Sequence, residues 1–356
     1  MPEISVGIVG FGSAARVFHA PVIRAVAGLE LSAILQRHGD SAGIAYPDVP
    51  VFRDLDSMLN ASPARLMVVA TPNESHYDLA RRCLLAGRDV VVDKPFTPTS
   101  EEARALAQLA SSTGRLLAVF QNRRWDGDFL TVRRLIEAGT LGRVVQFESH
   151  FDRYRPARRA AAWRESEGRG SGLLFDIGPH LLDQALVLFG LPEAITADVR
   201  VERSDAVVDD AFDILLHYPA LRVLLRATML ACSPVPRFAV LGDRGTFRKQ
   251  GLDPQEDALK KGTLPGSPGW GEEDESQWGT LSLAGEDGSV AHRSIRTDPG
   301  DYRQFYANVR DAALGTAGLA VPASDGLRVI RLLELARESS RRRRTLDCAG
   351  QLHREK

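Results

Sequence analysis

The sequence predicts an α/β protein in two domains: a doubly wound parallel sheet over residues 1–122, then an α+β domain over 123–356 with a mainly antiparallel sheet. Three observations predict it. Short, wholly apolar stretches alternate with helix-period stretches through the first third of the chain, and a glycine turn closes the first of those stretches. Near Gln121-Asn122-Arg123-Arg124-Trp125 the rhythm then changes to strand-like runs joined by tight turns. Continuous apolar strands fit a sheet covered on both faces, and right-handed crossovers make it doubly wound. At 356 residues the chain is long enough for two cores.

Ile4 to Val9 reads as the first strand and Ala14 to Val26 as the helix after it. Strands follow at Leu31–Leu35, Leu66–Ala70, Asp89–Val92 and Leu116–Phe120, with helices at about Ser75–Ala86 and Ser100–Ser112. Beyond residue 122 a helix from Phe129 to Ala138 leads into a long strand, Arg143 to about Phe151. Further strands are expected at Ala197–Glu202, Phe212–His217 and Arg222–Thr228, with Tyr218-Pro219-Ala220-Leu221 as a tight turn between the last two. Gly251 to Gly279 is rich in Gly, Pro and acidic residues and shows little periodicity, so it reads as a long loop. Tyr302–Ala313 and Gly326–Ser339 are the last helices, and the run Arg341–Arg344 suits a solvated helix end.

Composition excludes several classes. A formal net charge of -1 gives no field to recruit nucleic acid or anionic lipid. Three scattered cysteines offer neither a disulfide framework nor a metal cluster, and the histidines fall into no ligand spacing. Met1-Pro2-Glu3-Ile4 lacks the basic and apolar parts of a leader, and no apolar run reaches membrane-spanning length. The expectation is a cytoplasmic protein without a metal.

Three motifs carry chemistry. Gly10-Phe11-Gly12-Ser13-Ala14-Ala15 sits between a strand and a helix, the context in which a Gly-x-Gly-x-x-Ala turn binds a dinucleotide. Gly10 permits the turn, Gly12 lets backbone approach a pyrophosphate, and Ala15 lets the helix pack close to the sheet. The amides of that helix N-terminus face the anion, so Gly10 through Ala14 are cofactor-binding candidates. The second strand ends in Gln36-Arg37-His38, with no acid before Asp40. An NAD site carries Asp or Glu about 20 residues after the glycines, whereas Arg37 suits a 2′-phosphate, so NADP is expected over NAD. Thr71-Pro72-Asn73-Glu74-Ser75-His76 follows another strand C-terminus, where ligands bind in such sheets, although Pro-Asn also makes turns and Ser75 could simply cap a helix.

Lys94 is one of five lysines beside forty arginines, and it lies where Asp89-Val90-Val91-Val92 runs out into Asp93-Lys94-Pro95. An ammonium can be tuned by burial and can share a proton, which a guanidinium cannot. Asp176-Ile177-Gly178-Pro179-His180 is the third motif. Pro179 must lie in the first turn of the helix that continues through Phe189, which puts Asp176 and His180 four apart. A carboxylate raises an imidazole pKa and a helix N-terminus lowers it, a balance that suits a general base. Asp183 is expected to face solvent.

In order along the chain, Gly10-x-Gly12, Asp93-Lys94-Pro95 and Asp176-x-Gly178-x-His180 resemble the Gfo/Idh/MocA family of nicotinamide-dependent sugar and polyol oxidoreductases. The family usually has Glu where this chain has Asp93. Gln121 through Asp126, Arg153-Tyr154-Arg155-Pro156, and Trp163-Arg164-Glu165 with Gly170-Ser171-Gly172 are similar to the branch that holds NADP-dependent scyllo-inositol dehydrogenases. The resemblance implies a Rossmann domain followed by a large open sheet whose outer face builds homodimers or homotetramers. It implies that Lys94 touches the nicotinamide ribose and the reacting oxygen, that His180 is the general acid/base, and that Asp176 orients it. Thr71, Pro72, Asn73, His76 and a cis Lys94–Pro95 bond would line the nicotinamide half of the cofactor, with Gln36 and Arg37 at the far end. Arg124, Trp125, Tyr154 and Trp163 are candidate polyol contacts. The expected reaction is hydride transfer between NADP(H) and a secondary alcohol of a cyclic polyol, an inositol such as scyllo-inositol. The alternatives are another sugar-like or cyclic substrate on the same fold, or a dinucleotide-binding regulatory sensor without catalysis.

Overall fold

A computed structural model describes residues 3–158, 163–233 and 235–348. Met1 and Pro2, read above for a leader, lie outside the described residues. The chain forms two compact units. One gathers the residues through Asn122 with Gln255–Trp270 and Asp301–Leu327; the other holds Arg123–Pro254, Gly271–Gly300 and the chain from Arg328 onward.

The first unit is built on six parallel strands: β1 (Ile4–Val9), β2 (Leu29–Leu35), β3 (Val51–Phe52), β4 (Leu66–Val69), β5 (Asp89–Val92) and β6 (Leu117–Val119). Their order is β3-β2-β1-β4-β5-β6, which is doubly wound. All residues of β4, β5 and β6 are buried, the mark of a sheet covered on both faces. The strand order reverses between β1 and β4, so the loops after these strands define the crevice where such sheets take ligands. The helix after β1 does not run regularly. Residues Ala15–His19 form a π turn before the α-helical Ala20–Arg24, because Pro21 has no N–H and its ring displaces the preceding carbonyl.

Two late segments join this unit, for a packing reason. Helix Arg303–Ala313 buries Phe305 and Tyr306 against Phe120, with ring centroids 4.9 and 5.7 Å away. The Val321 carbonyl accepts from the Val119 amide at 3.2 Å, satisfying the free edge of β6.

The second unit carries nine strands: β7 (Val144–His150), β8 (Ala194–Arg200), β9 (Ala211–His217), β10 (Arg222–Thr228), β11 (Phe238–Gly242), β12 (Gly245–Lys249), β13 (Gly279–Ala284), β14 (Val290–Ile295) and β15 (Leu346–Asp347). The order is β14-β13-β12-β11-β7-β10-β9-β8-β15, antiparallel except where β7 meets β10. Alternation puts Phe147, Val223, Leu225, Ile214, Leu216 and Val240 in the core, while Gln146, Arg222, Arg226 and Asp213 stay on the other face. The stretch expected to be one long loop contains a helix, Gln255–Lys260. Its first residue is fully buried, and the Gln255 Oε1 accepts from the Tyr302 amide at 2.8 Å, a tertiary bond that local periodicity does not reveal. Among the described residues, no helix is long and apolar enough to cross a membrane.

Candidate functional site

The candidate side chains fall into two groups, one in each unit. In the first, the glycine turn follows β1. Gly10 has φ +97°, and a Cβ there would meet Thr71 Cγ2 at 2.6 Å and the Ala70 carbonyl oxygen at 2.8 Å. Gly10 is therefore required by the loop after β4, and Thr71 braces the turn. Gly12 is different: a Cβ there would meet nothing within 4 Å. Gly12 and Ser13 are exposed, so the protein itself leaves this cradle open, as a pyrophosphate requires. Phe11 turns inward and packs edge-on against Tyr46 with 5.9 Å between centroids.

At the end of β2 the Gln36 side chain is committed to its own loop. Its Nε2 donates to the His38 carbonyl (2.8 Å) and Ser41 Oγ (3.0 Å), and its Oε1 accepts from the Ala42 amide (2.7 Å). Arg53 donates to the carbonyls of Gln36 (3.0 Å) and Gly39 (2.6 Å) and pairs with Asp40 at 2.6 Å. The first acid after β2 is thus held by an arginine, while the exposed Arg37 stands at the tip of the same loop.

The segment after β4 and the one after β5 are tied together by His76. Its Nδ1 lies 2.9 Å from the Pro95 carbonyl and its Nε2 2.9 Å from the Thr71 carbonyl. Burial pushes this imidazole below its ordinary pKa, against the raising pull of Asp93 and the carbonyls. With no exposed surface, the ring supports the Lys94–Pro95 segment from behind. Asn73 is also buried. The Ser75 hydroxyl turns back to Thr71 Oγ1 (2.7 Å) and the Pro72 carbonyl (2.8 Å) and does not cap the following helix. The Lys94–Pro95 bond is cis, and Lys94 is half-buried at the C-terminal end of β5, with its amide donating to Asp93 Oδ1 at 2.8 Å.

In the second unit Asp176 ends a short helix, Leu173–Asp176, and Pro179 lies in the first turn of the helix Gly178–Phe189, as its missing N–H dictates. His180 is 4% exposed in that turn. Gly172, at φ +93°, lets the Asp209 carboxylate reach the start of the short helix, where Oδ2 accepts from the Leu174 amide at 2.7 Å. Asp176 itself pairs with Arg164 at 3.2 Å, and the Arg164 guanidinium stacks 4.4 Å above the Trp163 ring. Asp183 does not face solvent as expected: it is 2% exposed and takes Arg124 in a bidentate pair at 2.7 and 2.6 Å. One turn beyond His180, Gln184 donates to the Arg123 carbonyl at 2.8 Å and accepts from Arg237 at 2.9 Å. The Arg124-Trp125 turn is therefore seated directly on the His180 helix. Tyr154 is 58% exposed and pairs through its backbone with Leu230.

Sequence reasoning missed Arg203, and no local signal marks one arginine among forty. Its side chain is buried. It pairs with Asp210 at 2.7 Å and Glu165 at 3.1 Å, and donates to the carbonyls of Arg155 (3.4 Å) and Ala157 (3.3 Å). It thus joins the Tyr154 and Trp163–Glu165 segments. Arg203→Met leaves two carboxylates without their cation, and urea unfolding should show a loss of about 3–5 kcal/mol. An unchanged midpoint would contradict that clamp.

A doubly wound sheet with an open glycine cradle after β1 defines a dinucleotide-binding domain of Rossmann type. Profiles described as "Oxidoreductase family, NAD-binding Rossmann fold" and "Oxidoreductase family, C-terminal alpha/beta domain" match residues 4–121 and 133–347, and the chain belongs to this Gfo/Idh/MocA family. It is 45% identical to the uncharacterized oxidoreductase YdgJ of Escherichia coli (strain K12), over 97% of this chain and 98% of that protein. It is 37% identical to the scyllo-inositol 2-dehydrogenase (NADP(+)) IolW of Bacillus subtilis (strain 168), over 96% of this chain and 95% of that protein. The crystal structure of an oxidoreductase from Bacillus cereus is also similar, with a TM-score of 0.88 at 32% identity, covering 97% of this chain and 98% of that one.

Proposed function

We propose that this oxidoreductase transfers a hydride between NADP(H) and a secondary alcohol of a cyclic polyol, with scyllo-inositol as the leading substrate. The observation that carries the reading is the near full-length similarity to IolW, whose name states both the substrate and the cofactor. The charge pattern after β2 supports the cofactor choice: Asp40 is engaged by Arg53, and the exposed Arg37 suits a 2′-phosphate.

Bound dinucleotide supplies the hydride acceptor. The amides after Gly10 and Gly12 hold its pyrophosphate. His180 takes the hydroxyl proton from the alcohol, and Asp176 keeps that imidazole oriented. Lys94 stabilises the oxygen as negative charge develops on it. Arg124, Trp125, Tyr154 and Trp163 bind the polyol, Arg124 in an orientation set by Asp183. The polar solvent face of the nine-stranded sheet serves for pairing into homodimers or homotetramers.

The test is absorbance at the reduced-nicotinamide band with NADP or NAD and a panel of inositols and sugars. Turnover of scyllo-inositol with NADP at the highest kcat/KM is expected, and a glucoside or amino sugar as the best substrate would displace the inositol reading. Arg37→Ala should raise KM for NADP about tenfold or more, the value of one lost charge-assisted bond pair, and leave KM for NAD nearly unchanged. Equal effects on both cofactors would end the assignment of Arg37.

A further inference from the structure

We propose that His19, held between Tyr306 and Asp93, is a positioning residue for Lys94, so that a buried hydroxyl–imidazole–carboxylate chain sets where the lysine stands. The inference rests on the reading of Lys94 given above and adds two side chains, His19 and Tyr306, that its motif does not contain.

The geometry is continuous within the first unit. Tyr306 Oη lies 2.6 Å from His19 Nδ1. His19 Nε2 lies 3.8 Å from Asp93 Oδ1, in ion-pair range. The same Asp93 Oδ1 accepts from the Lys94 amide at 2.8 Å. His19 and Tyr306 have no exposed surface, and Asp93 is 6% exposed. The His19 ring rests against Phe120 at 4.2 Å between centroids, which fixes its plane. His19 is thus the hub: Tyr306 and Phe120, far away in sequence, hold its ring, and the ring faces the carboxylate adjacent to the lysine.

The charge states follow from the surroundings. Burial pushes the Asp93 carboxyl up, but the adjacent His19 imidazole, then the charges of Lys94 and His76, more than offset it and leave it below its ordinary value. Asp93 is thus a carboxylate. Burial, then the Asp93 charge, raises Tyr306 well above its ordinary value, so it stays a hydroxyl. The Tyr306 hydroxyl and the Asp93 carboxylate thus face opposite nitrogens of one imidazole ring. Such a chain resembles the second partner that fixes a working group in many sites, where the outer residue acts through the inner one. Packing alone needs none of these polar atoms, since apolar residues of similar volume fill a buried site at least as well. The π turn matters here as well. It places His19 on the face of the glycine-loop helix that meets Asp93, so the segment that cradles the pyrophosphate and the residue preceding Lys94 share one side chain.

The experiment compares the intact chain with its Tyr306→Phe and His19→Asn variants by three readouts. The first is the Cε–Hε spectrum of protein labelled with ¹³C-lysine, in which five signals are expected and Lys94→Arg identifies one. The second is dinucleotide affinity, and the third is kcat on the best polyol. Both variants should move the Lys94 signal in the presence of NADP and leave the other four in place. Dinucleotide affinity should hold within about threefold while kcat falls about 10- to 10²-fold, the loss expected from a displaced reacting group. An unmoved Lys94 signal, or affinity and kcat lost in parallel, would overturn the inference. A wild-type chain inert toward every polyol would bring down the substrate reading alone, and the lysine spectra would still decide the role of His19.

Discussion

Lys94→Arg lowers kcat by about 10²-fold or more while dinucleotide affinity changes little, because proton-sharing and the point-like charge are lost and the positive charge is kept. The protein is unusually suited to this substitution as a test, since arginine is its ordinary cation and only five lysines occur. Lys94 is half-buried beside a cis Lys94–Pro95 bond, with His76 bracing the segment from below. A guanidinium at that position is wider, spreads its charge over three nitrogens and cannot be deprotonated. Steady-state kinetics on the best polyol, with affinity for reduced dinucleotide measured by fluorescence, separate the two effects. Turnover close to that of the wild type would remove Lys94 from the chemistry.

His180→Asn should reduce kcat by about 10²- to 10⁴-fold, the range that a positioned general base contributes. Asparagine keeps a polar group of similar reach at a site that is 4% exposed. The pH dependence of kcat/KM gives the more specific readout. A base that must be unprotonated produces a limb falling toward acid, and that limb should vanish in the variant. Asp176→Asn should give a smaller loss, since Arg164 still holds the side chain at 3.2 Å through its oxygen. A His180→Asn enzyme that keeps both its rate and its acidic limb would assign the proton to another group.

The first sheet was legible in the sequence because its strands are buried on both faces and read as unbroken apolar runs. β3 was not, having two half-buried residues and no pattern to show. In the second unit β9 and β10 were visible by their alternation and the turn between them, whereas β14 is almost wholly exposed, with His and Arg on solvated positions, and β13 is only partly buried and carries Thr and Ser. The three motifs announced the candidate site, since each needs particular residue types at fixed spacing. Its supports did not. Asp183 gains meaning only from Arg124, 59 positions away, and His19 only from Tyr306, 287 positions away. A buried polar partner is a tertiary fact, and one-dimensional spacing is blind to it.

The aromatic wall of the first unit has a bearing on biosynthesis. Phe120 leaves the ribosome early, but Phe305 and Tyr306, which cover it, emerge more than half a chain later. Translation adds about 5–20 residues per second, so the nascent nucleotide fold carries an uncapped oily flank for roughly ten seconds or more. Until the last helices arrive, that flank is open to association with other exposed apolar surface.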